Sequence, residues 1–145
     1  MTPSAPIVLN GIAHSILMEL APQVGGGYAG QTLQLAGMLA MMLAQEFDRA
    51  AARLVEENSA LEALLTDAQA VVHAADGEGV VAARSESLLV SALQARNRAL
   101  RGVLVRVHAA VESLAGDAAR QLEARIWGEL VESTRRRLLD MAMPS

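Results

Sequence analysis

Histidines are the first residues to consider for metal chemistry in this chain, which has three of them. His108 and Glu112 are four residues apart, so a helix would place both on one face, but two ligands do not make a site. A di-iron helical bundle needs Glu-x-x-His motifs on two helices, and the sequence contains no such motif. His14 and His73 could contribute only through tertiary packing. We therefore predict no metal site and no cofactor.

Nucleophilic catalysis has no recognisable motif either. The chain has no cysteine and no lysine, which excludes cysteine nucleophiles, Schiff-base lysines and the P-loop lysine. A Ser-His-Asp triad needs only three residues brought together by folding, but the sequence has no Gly-x-Ser-x-Gly elbow. We predict no catalytic residue and a protein that is not an enzyme.

The glycine-rich segment 25–32 is the one stretch with the character of a binding site. Glycines ahead of a helix leave backbone N–H groups free to face an anion, and an aromatic ring could stack on a ligand. The candidate ligand-binding residues are Gly26, Gly27, Tyr28 and Thr32. Their spacing matches neither the dinucleotide fingerprint nor the P-loop. The simpler interpretation is a turn between two helices.

Charge and hydropathy restrict the partners and the location of the protein. The net charge is −4, which argues against nucleic-acid binding. All twelve basic residues are arginine, a bias typical of GC-rich bacterial genomes. The N-terminus has no basic region before its apolar stretch, so we predict no secretory signal. The dense apolar run 33–43 is too short to cross a membrane. We expect a bacterial, cytoplasmic protein with no membrane contact.

Two long stripes of apolar residues at alternating three- and four-residue spacing predict two long amphipathic helices. Each stripe is interrupted once by a charge, Glu57 in the first and Arg96 in the second. The first stripe contains Ala36, Ala40, Leu43, Phe47, Ala50, Leu54, Glu57, Leu61, Leu64, Ala68, Val71 and Ala75; the second contains Leu89, Leu93, Arg96, Leu100, Val103, Val107, Ala110 and Leu114.

Turn and capping residues divide the chain into about four helices in a single helical-bundle domain, 1–145. The predicted helices run from about residue 6 to 20, 29 to 75, 85 to 114 and 117 to 143. Asn58 and Ser59 could break the second helix, since Ser59 and Glu62 form a capping-box pair. The heptad stripe passes through them without a change of phase, so we favour a continuous or kinked helix.

The two long helices are oppositely charged and partly similar in sequence. Residues 46–67 contain six acids and two arginines, whereas residues 84–106 contain five arginines and one acid. Six positions recur at an offset of 39, for example Asn58 as Asn97. An ancient duplication would explain this recurrence, but chance in alanine- and leucine-rich helices is the preferred explanation.

We predict that the long helices fold back at the turn 76–79 into a central antiparallel hairpin of an up-and-down bundle. Residue numbers of facing positions would then add to about 155. This places Glu57 opposite Arg96 and Arg98, and we predict a structural ion pair between Glu57 and one of them. Such a pair would fix the register more than it would add stability. The alternative is that these are solvated, unrelated surface charges.

Long apolar stripes that other helices do not cover usually close by self-association. We therefore expect a non-enzymatic helical protein that forms a homodimer and acts as an interaction or accessory module, with a further protein partner possible. The alternative is a small-ligand-binding bundle that has an apolar pocket between its helices and the glycine segment at the mouth of that pocket.

Overall fold

A computed structural model describes residues 2–72 and 87–139 of the chain. All regular secondary structure in these two ranges is helical, and it forms four helices: α1 (Ala5–Val24), α2 (Tyr28–Ala68), α3 (Val90–Glu112) and α4 (Asp117–Arg136). The chain divides into two compact units, Met1–Ala50 with Leu139–Ser145 (the N-terminal unit) and Ala51–Leu138 (the C-terminal unit). The prediction of an all-α bundle of about four helices is confirmed, and the longest of them, α2, is central to it.

Helix α1 continues through Pro22, four residues beyond its predicted end at Leu20, because part of it is wound as a π-helix. In a regular α-helix a proline lacks the N–H it should donate, and its ring collides with the carbonyl four residues earlier. Residues Ser15–Leu20 form the π-helical segment, and Ala21 donates to the carbonyl of Ile16, five residues earlier. This wider winding accommodates the proline within the helix.

In the N-terminal unit, α1 lies very close to the first part of α2, and glycine is required where they meet. A Cβ atom at Gly37 would lie 2.5 Å from Cγ of Leu17. A Cβ atom at Gly30 would overlap the carbonyl oxygen of Gly25. Both glycines are buried. The absence of a side chain at Gly37 lets the two helices approach closely, and its absence at Gly30 lets α2 approach the turn at Gly25.

Helix α2 is continuous through Asn58 and Ser59, as the unbroken heptad stripe predicted. It ends at Ala68 rather than Ala75, since the following residues form turns. The predicted turn at 76–79 lies outside the described residues. Helix α4 begins at Asp117, as predicted, after Gly116, which has a positive φ of 120°.

The C-terminal unit is built around a core to which α2, α3 and α4 all contribute. The buried apolar residues of this core are Leu61, Leu64, Leu65, Ala68 and Val72 from α2 and its end, Leu100, Val103, Leu104, Val107 and Val111 from α3, and Ala119, Leu122 and Ile126 from α4. Burial of such side chains is the dominant favourable term in folding.

Contacts with α4 establish the direction of each helix in this unit. Helices α3 and α4 form an antiparallel hairpin, since Arg101 bonds Ser133 near one end and His108 contacts Trp127 nearer the other. Helix α4 is also antiparallel to α2, since residue 57 bonds residue 137 while residue 67 bonds residue 125. Helices α2 and α3 both oppose α4, so they run parallel to each other.

The predicted antiparallel pairing of α2 with α3 is therefore wrong. Opposite net charges on two helices favour their association in either direction, so the charge pattern could not distinguish the two arrangements. For two consecutive helices to run parallel, the segment that joins them must return along the length of the first helix. The 21 residues between α2 and α3 are long enough, because extended chain spans about 3.3 Å per residue.

Candidate functional site: a buried polar layer

The C-terminal unit contains one level at which polar side chains replace apolar ones between the three helices. Its members are Glu57 and Asn58 from α2, Asn97 and Arg101 from α3, Ser133 from α4, and Arg137 from the turn that follows α4. We refer to these six residues as the polar layer. The four buried polar or charged residues in the described parts of the chain all belong to it.

Two asparagines connect α2 to α3 at the centre of the polar layer. The Nδ2 atom of Asn97 donates to Oδ1 of Asn58 over 2.9 Å. The Nδ2 atom of Asn58 donates to the backbone carbonyl of Leu93 over 3.1 Å. These are the equivalent positions of the repeat at an offset of 39, so the repeated residues lie at the same level of the bundle.

Glu57 is the most deeply buried charged group in the layer, with no exposed surface. Its Oε1 accepts a 3.0 Å hydrogen bond from Nε of Arg137, and its Oε2 accepts one of 2.8 Å from Nη2 of the same residue. Arg101 donates from Nη2 to Oε2 over 3.2 Å. Buried carboxylates are stable only when paired in this way.

The environment of Glu57 keeps its carboxylate ionised. Burial alone raises the pKa of a carboxyl group, but hydrogen bonds and positive charges from Arg137 and Arg101 outweigh burial here. Together they lower the pKa of Glu57 from 4.5 to about 2. An ionised, fully hydrogen-bonded carboxylate is a structural group and is poorly suited to proton transfer near neutral pH.

The predicted ion pair between Glu57 and either Arg96 or Arg98 is wrong, because it assumed antiparallel helices. Arg96 instead pairs with Glu62, with Nη2 and Oε1 2.9 Å apart. Arg98 is exposed and donates to the carbonyl of Gln94 in its own helix. Arg101, one helical turn beyond Arg98, is the α3 arginine that pairs with Glu57.

Arg137 is the member of the layer that sequence reasoning missed. The run 135–137 reads as a solvated, basic helix end, and Arg135 and Arg136 do bond acids of their own helix, Glu132 and Glu129. The hydrogen bond that Arg136 donates to Glu129 raises the pKa of Arg136. Only Arg137 reaches Glu57. A signal was present, since residue 137 continues the three- and four-residue spacing of the buried Ile126, the partly buried Leu130 and the buried Ser133.

The candidate ligand-binding residues lie in the N-terminal unit, where Gly26 and Gly27 precede α2. Tyr28 is the first residue of α2, and 88% of its surface is exposed. The hydroxyl of Thr32 donates to the Tyr28 carbonyl over 2.9 Å, a local bond within the first turn. The structure thus brings Tyr28 and Thr32 together, and ligand binding at this segment stays a prediction.

His108 and Glu112, which are four residues apart on α3, lie close together in the structure. His108 Nε2 lies 3.8 Å from Oε1 of Glu112, and the His108 and Trp127 rings pack almost at right angles with their centroids 5.5 Å apart. Within residues 2–72 and 87–139, no group of three or more side chains is arranged to hold a metal ion. His73 lies outside these ranges.

An open groove of about 580 Å³ lies beside the polar layer in the C-terminal unit. Its walls combine apolar side chains with polar and charged ones: Val55, Asn58, Ser59, Glu62, Ala63, Thr66, Asp67, Leu88, Leu93 and Arg96. The glycine segment 25–32 is not part of it. The groove therefore differs from the apolar pocket, with glycines at its mouth, that the sequence led us to consider.

Eleven large apolar side chains are exposed on α1 and the first part of α2, in the N-terminal unit. We refer to them as the apolar N-terminal surface; they are Ile7, Val8, Ile12, Met18, Leu20 and Val24 on α1 and Leu35, Met38, Leu39, Leu43 and Phe47 on α2. The sequence has no charged residue between Glu19 and Glu46. Exposed apolar residues in such numbers mark interaction surfaces.

Among the described helices, α1 alone has the length and composition of a membrane-crossing segment, with a mean hydropathy of 1.2. A single apolar helix near the N-terminus is a weak indication of a span, since signal sequences share these properties. Comparison with known proteins adds no assignment: no protein family, curated protein or solved structure matches the chain.

Proposed function

We propose that this protein is a non-enzymatic helical interaction module that forms a homodimer through the apolar N-terminal surface. The observation that carries the proposal is the exposure of large apolar side chains on α1 and the first part of α2. Leu35, Leu43 and Phe47 have 58%, 59% and 63% of their surface exposed. Covering such side chains gains about 25 cal/mol per Å² of apolar area removed from water.

The charge distribution favours a second copy of the chain as the partner of this surface. In a two-fold symmetric dimer a surface meets itself, so every charge near the axis meets the same charge. The charge-free stretch between Glu19 and Glu46 avoids this repulsion. Helices that lie on membranes carry basic residues on their polar face, whereas the first basic residue after the N-terminus is Arg49. A cytoplasmic location belongs to the same proposal.

The test is the mass of the protein in solution, by light scattering and native mass spectrometry over a range of concentrations. We expect the natural chain to be a dimer and the double substitution Leu39→Glu/Leu43→Glu to be a monomer with unchanged helicity. Val105→Glu is the matched control, since Val105 is an exposed apolar residue of α3, at 69% exposure. A natural chain that stays monomeric, or a control that dissociates equally, contradicts the proposal.

Small-ligand binding is the second candidate, and the groove beside the polar layer is the observation in its favour. Its volume of about 580 Å³ falls within the range typical of ligand sites. A thermal-shift screen with acyl, aromatic and nucleotide compounds tests it, since a bound ligand raises the melting temperature by mass action. A ligand that stabilises the natural chain but not Ser59→Trp, which would fill the groove, would support this candidate.

A further inference from the structure

The polar layer and its flanking charges have the pattern that determines partner choice in parallel coiled coils. In such a pair, heptad position a lies in the core, and positions g and e flank it on either side. The facing residues Asn58 and Asn97 occupy position a of α2 and α3. Position g is then Glu57 in α2 and Arg96 in α3, one residue before each asparagine. Position e, four residues after each asparagine, is Glu62 and Arg101.

Two ion pairs between α2 and α3 each join a g position to the next e position of the partner helix. Glu57 pairs with Arg101 over 3.2 Å, and Arg96 pairs with Glu62 over 2.9 Å. In parallel coiled coils this g-to-e geometry decides which helices pair. In this protein all four charges are placed so that the acids lie on α2 and the arginines lie on α3.

That placement penalises pairing of either helix with a second copy of itself. If two α2 helices paired in the same way, Glu57 of one copy would face Glu62 of the other. If two α3 helices paired, Arg96 would face Arg101. Only the pairing of α2 with α3 brings opposite charges together. The penalty is increased by burial, because Glu57 has no exposed surface and Arg96 only 9%.

We infer that the polar layer with Glu62 and Arg96 specifies the pairing of α2 with α3 and excludes pairing of α2 with α2, or α3 with α3, between chains. The buried asparagine pair fixes the parallel register, the use of a polar a position that is best attested in coiled coils. Self-association is thereby restricted to other surfaces. The inference holds for a monomer and for a dimer, so it does not depend on the proposed function.

The charge-exchange variant Glu62→Arg/Arg96→Glu separates stability from specificity. Within one chain the variant keeps both ion pairs. Glu57 still meets Arg101, and positions 62 and 96 still pair, with the arginine now on α2 and the glutamate on α3. Between chains it replaces repulsion by attraction in both pairings of identical helices. In an α2–α2 pair Glu57 would meet an arginine at position 62, and in an α3–α3 pair Arg101 would meet a glutamate at position 96. The variant should therefore fold with a similar melting temperature and associate more strongly than the natural chain.

The matched control exchanges an ion pair that lies outside the pattern. Asp67 and Arg125 join α2 to α4 over 2.6 Å on the surface, and Asp67→Arg/Arg125→Asp keeps an ion pair there. Each protein is unfolded in urea, refolded at several concentrations and measured by native mass spectrometry and light scattering. We expect association of the first variant to strengthen by about tenfold, which corresponds to roughly 1.4 kcal/mol of removed repulsion. The control should match the natural chain.

Two outcomes overturn the inference: the first variant associates no more strongly than the natural chain, or the control associates as strongly as the first variant. If circular dichroism shows that the first variant does not fold, Asn58→Leu/Asn97→Leu replaces it. Leucine at both a positions removes the buried asparagine pair that fixes the register, and it adds apolar contact between the helices. We then expect a higher melting temperature and a mixture of assemblies, whereas one unchanged assembly overturns the inference.

Discussion

At the scale of single residues, Glu57 shows how a charge can occupy the interior of a small helical protein. Its carboxylate has two arginine partners and an asparagine N–H, so its lone pairs are used. A buried ion pair adds little net stability compared with apolar residues of the same shape, but removal of one partner leaves a buried charge uncompensated. Glu57 is therefore more sensitive to substitution than its exposed neighbours.

The first prediction concerns Glu57→Gln, which keeps the shape of the side chain and removes its charge. The pKa of Glu57 is about 2 in the folded protein and 4.5 in an unfolded chain. A lowered pKa adds stability above pH 4.5 that is lost as the pH falls toward 2. Each unit of pKa shift corresponds to about 1.4 kcal/mol. At pH 7 the free energy of unfolding of the natural chain should therefore be about 3 kcal/mol larger than that of the variant.

Urea unfolding of both proteins between pH 7 and pH 2 measures this difference. We expect the gap in free energy of unfolding to be constant above pH 5 and to narrow steadily below it. Glu56→Gln, at the exposed neighbouring position, is the control and should change the free energy of unfolding by less than about 0.5 kcal/mol. A gap that does not depend on pH would show that ionisation of Glu57 is not coupled to folding.

At the scale of helices, the sequence patterns predicted those helix boundaries that depend on interactions between residues close together in the chain. The unbroken heptad phase predicted that α2 continues through Asn58 and Ser59, and the predicted start of the last helix at residue 117 is also correct. The extension of α1 through Pro22 was not predictable, because it depends on a π-helical segment that has no composition signal. The early end of α2 at Ala68 was also missed, since the apolar spacing continues beyond it.

The second prediction concerns the close approach of α1 and α2. A methyl group at Gly37 would lie 2.5 Å from Cγ of Leu17, so Gly37→Ala should destabilise the N-terminal unit by about 1–2 kcal/mol. Gly11→Ala is the matched control, since Gly11 also lies within a helix but an added carbon there would have no neighbour within 4 Å beyond the adjacent backbone of its own helix. The control should stabilise α1 by about 0.5–1 kcal/mol, because alanine favours helix.

Hydrogen exchange of the α1 amides is the measurement for this pair of variants. Faster exchange in Gly37→Ala, together with slower exchange in Gly11→Ala, is the expected result. Equal stabilisation by both substitutions would mean that α1 does not pack against α2 as closely as the structure shows.

At the scale of the whole molecule, the direction of α2 relative to α3 could not be predicted from the charges of the two helices. An acidic helix attracts a basic one equally well in either direction, so net charge predicted a pair and not its polarity. The informative signal was the recurrence of Asn58 as Asn97, which we attributed to chance. The spacing of α4 could have placed Arg137 on the buried face, but its pairing with Glu57 depends on the path of α4 across α2.

The measurement that tests the parallel pairing most directly is disulfide formation between introduced cysteines, which the cysteine-free chain makes unambiguous. Leu61 and Leu100 are buried in the same core at equivalent heptad positions, so Leu61→Cys/Leu100→Cys should form an intrachain disulfide on mild oxidation. In the antiparallel arrangement Leu61 would instead face Gln94. Mass spectrometry of the oxidised proteins should show the link in the first variant and none in Leu61→Cys/Gln94→Cys, and the reverse result would contradict the account.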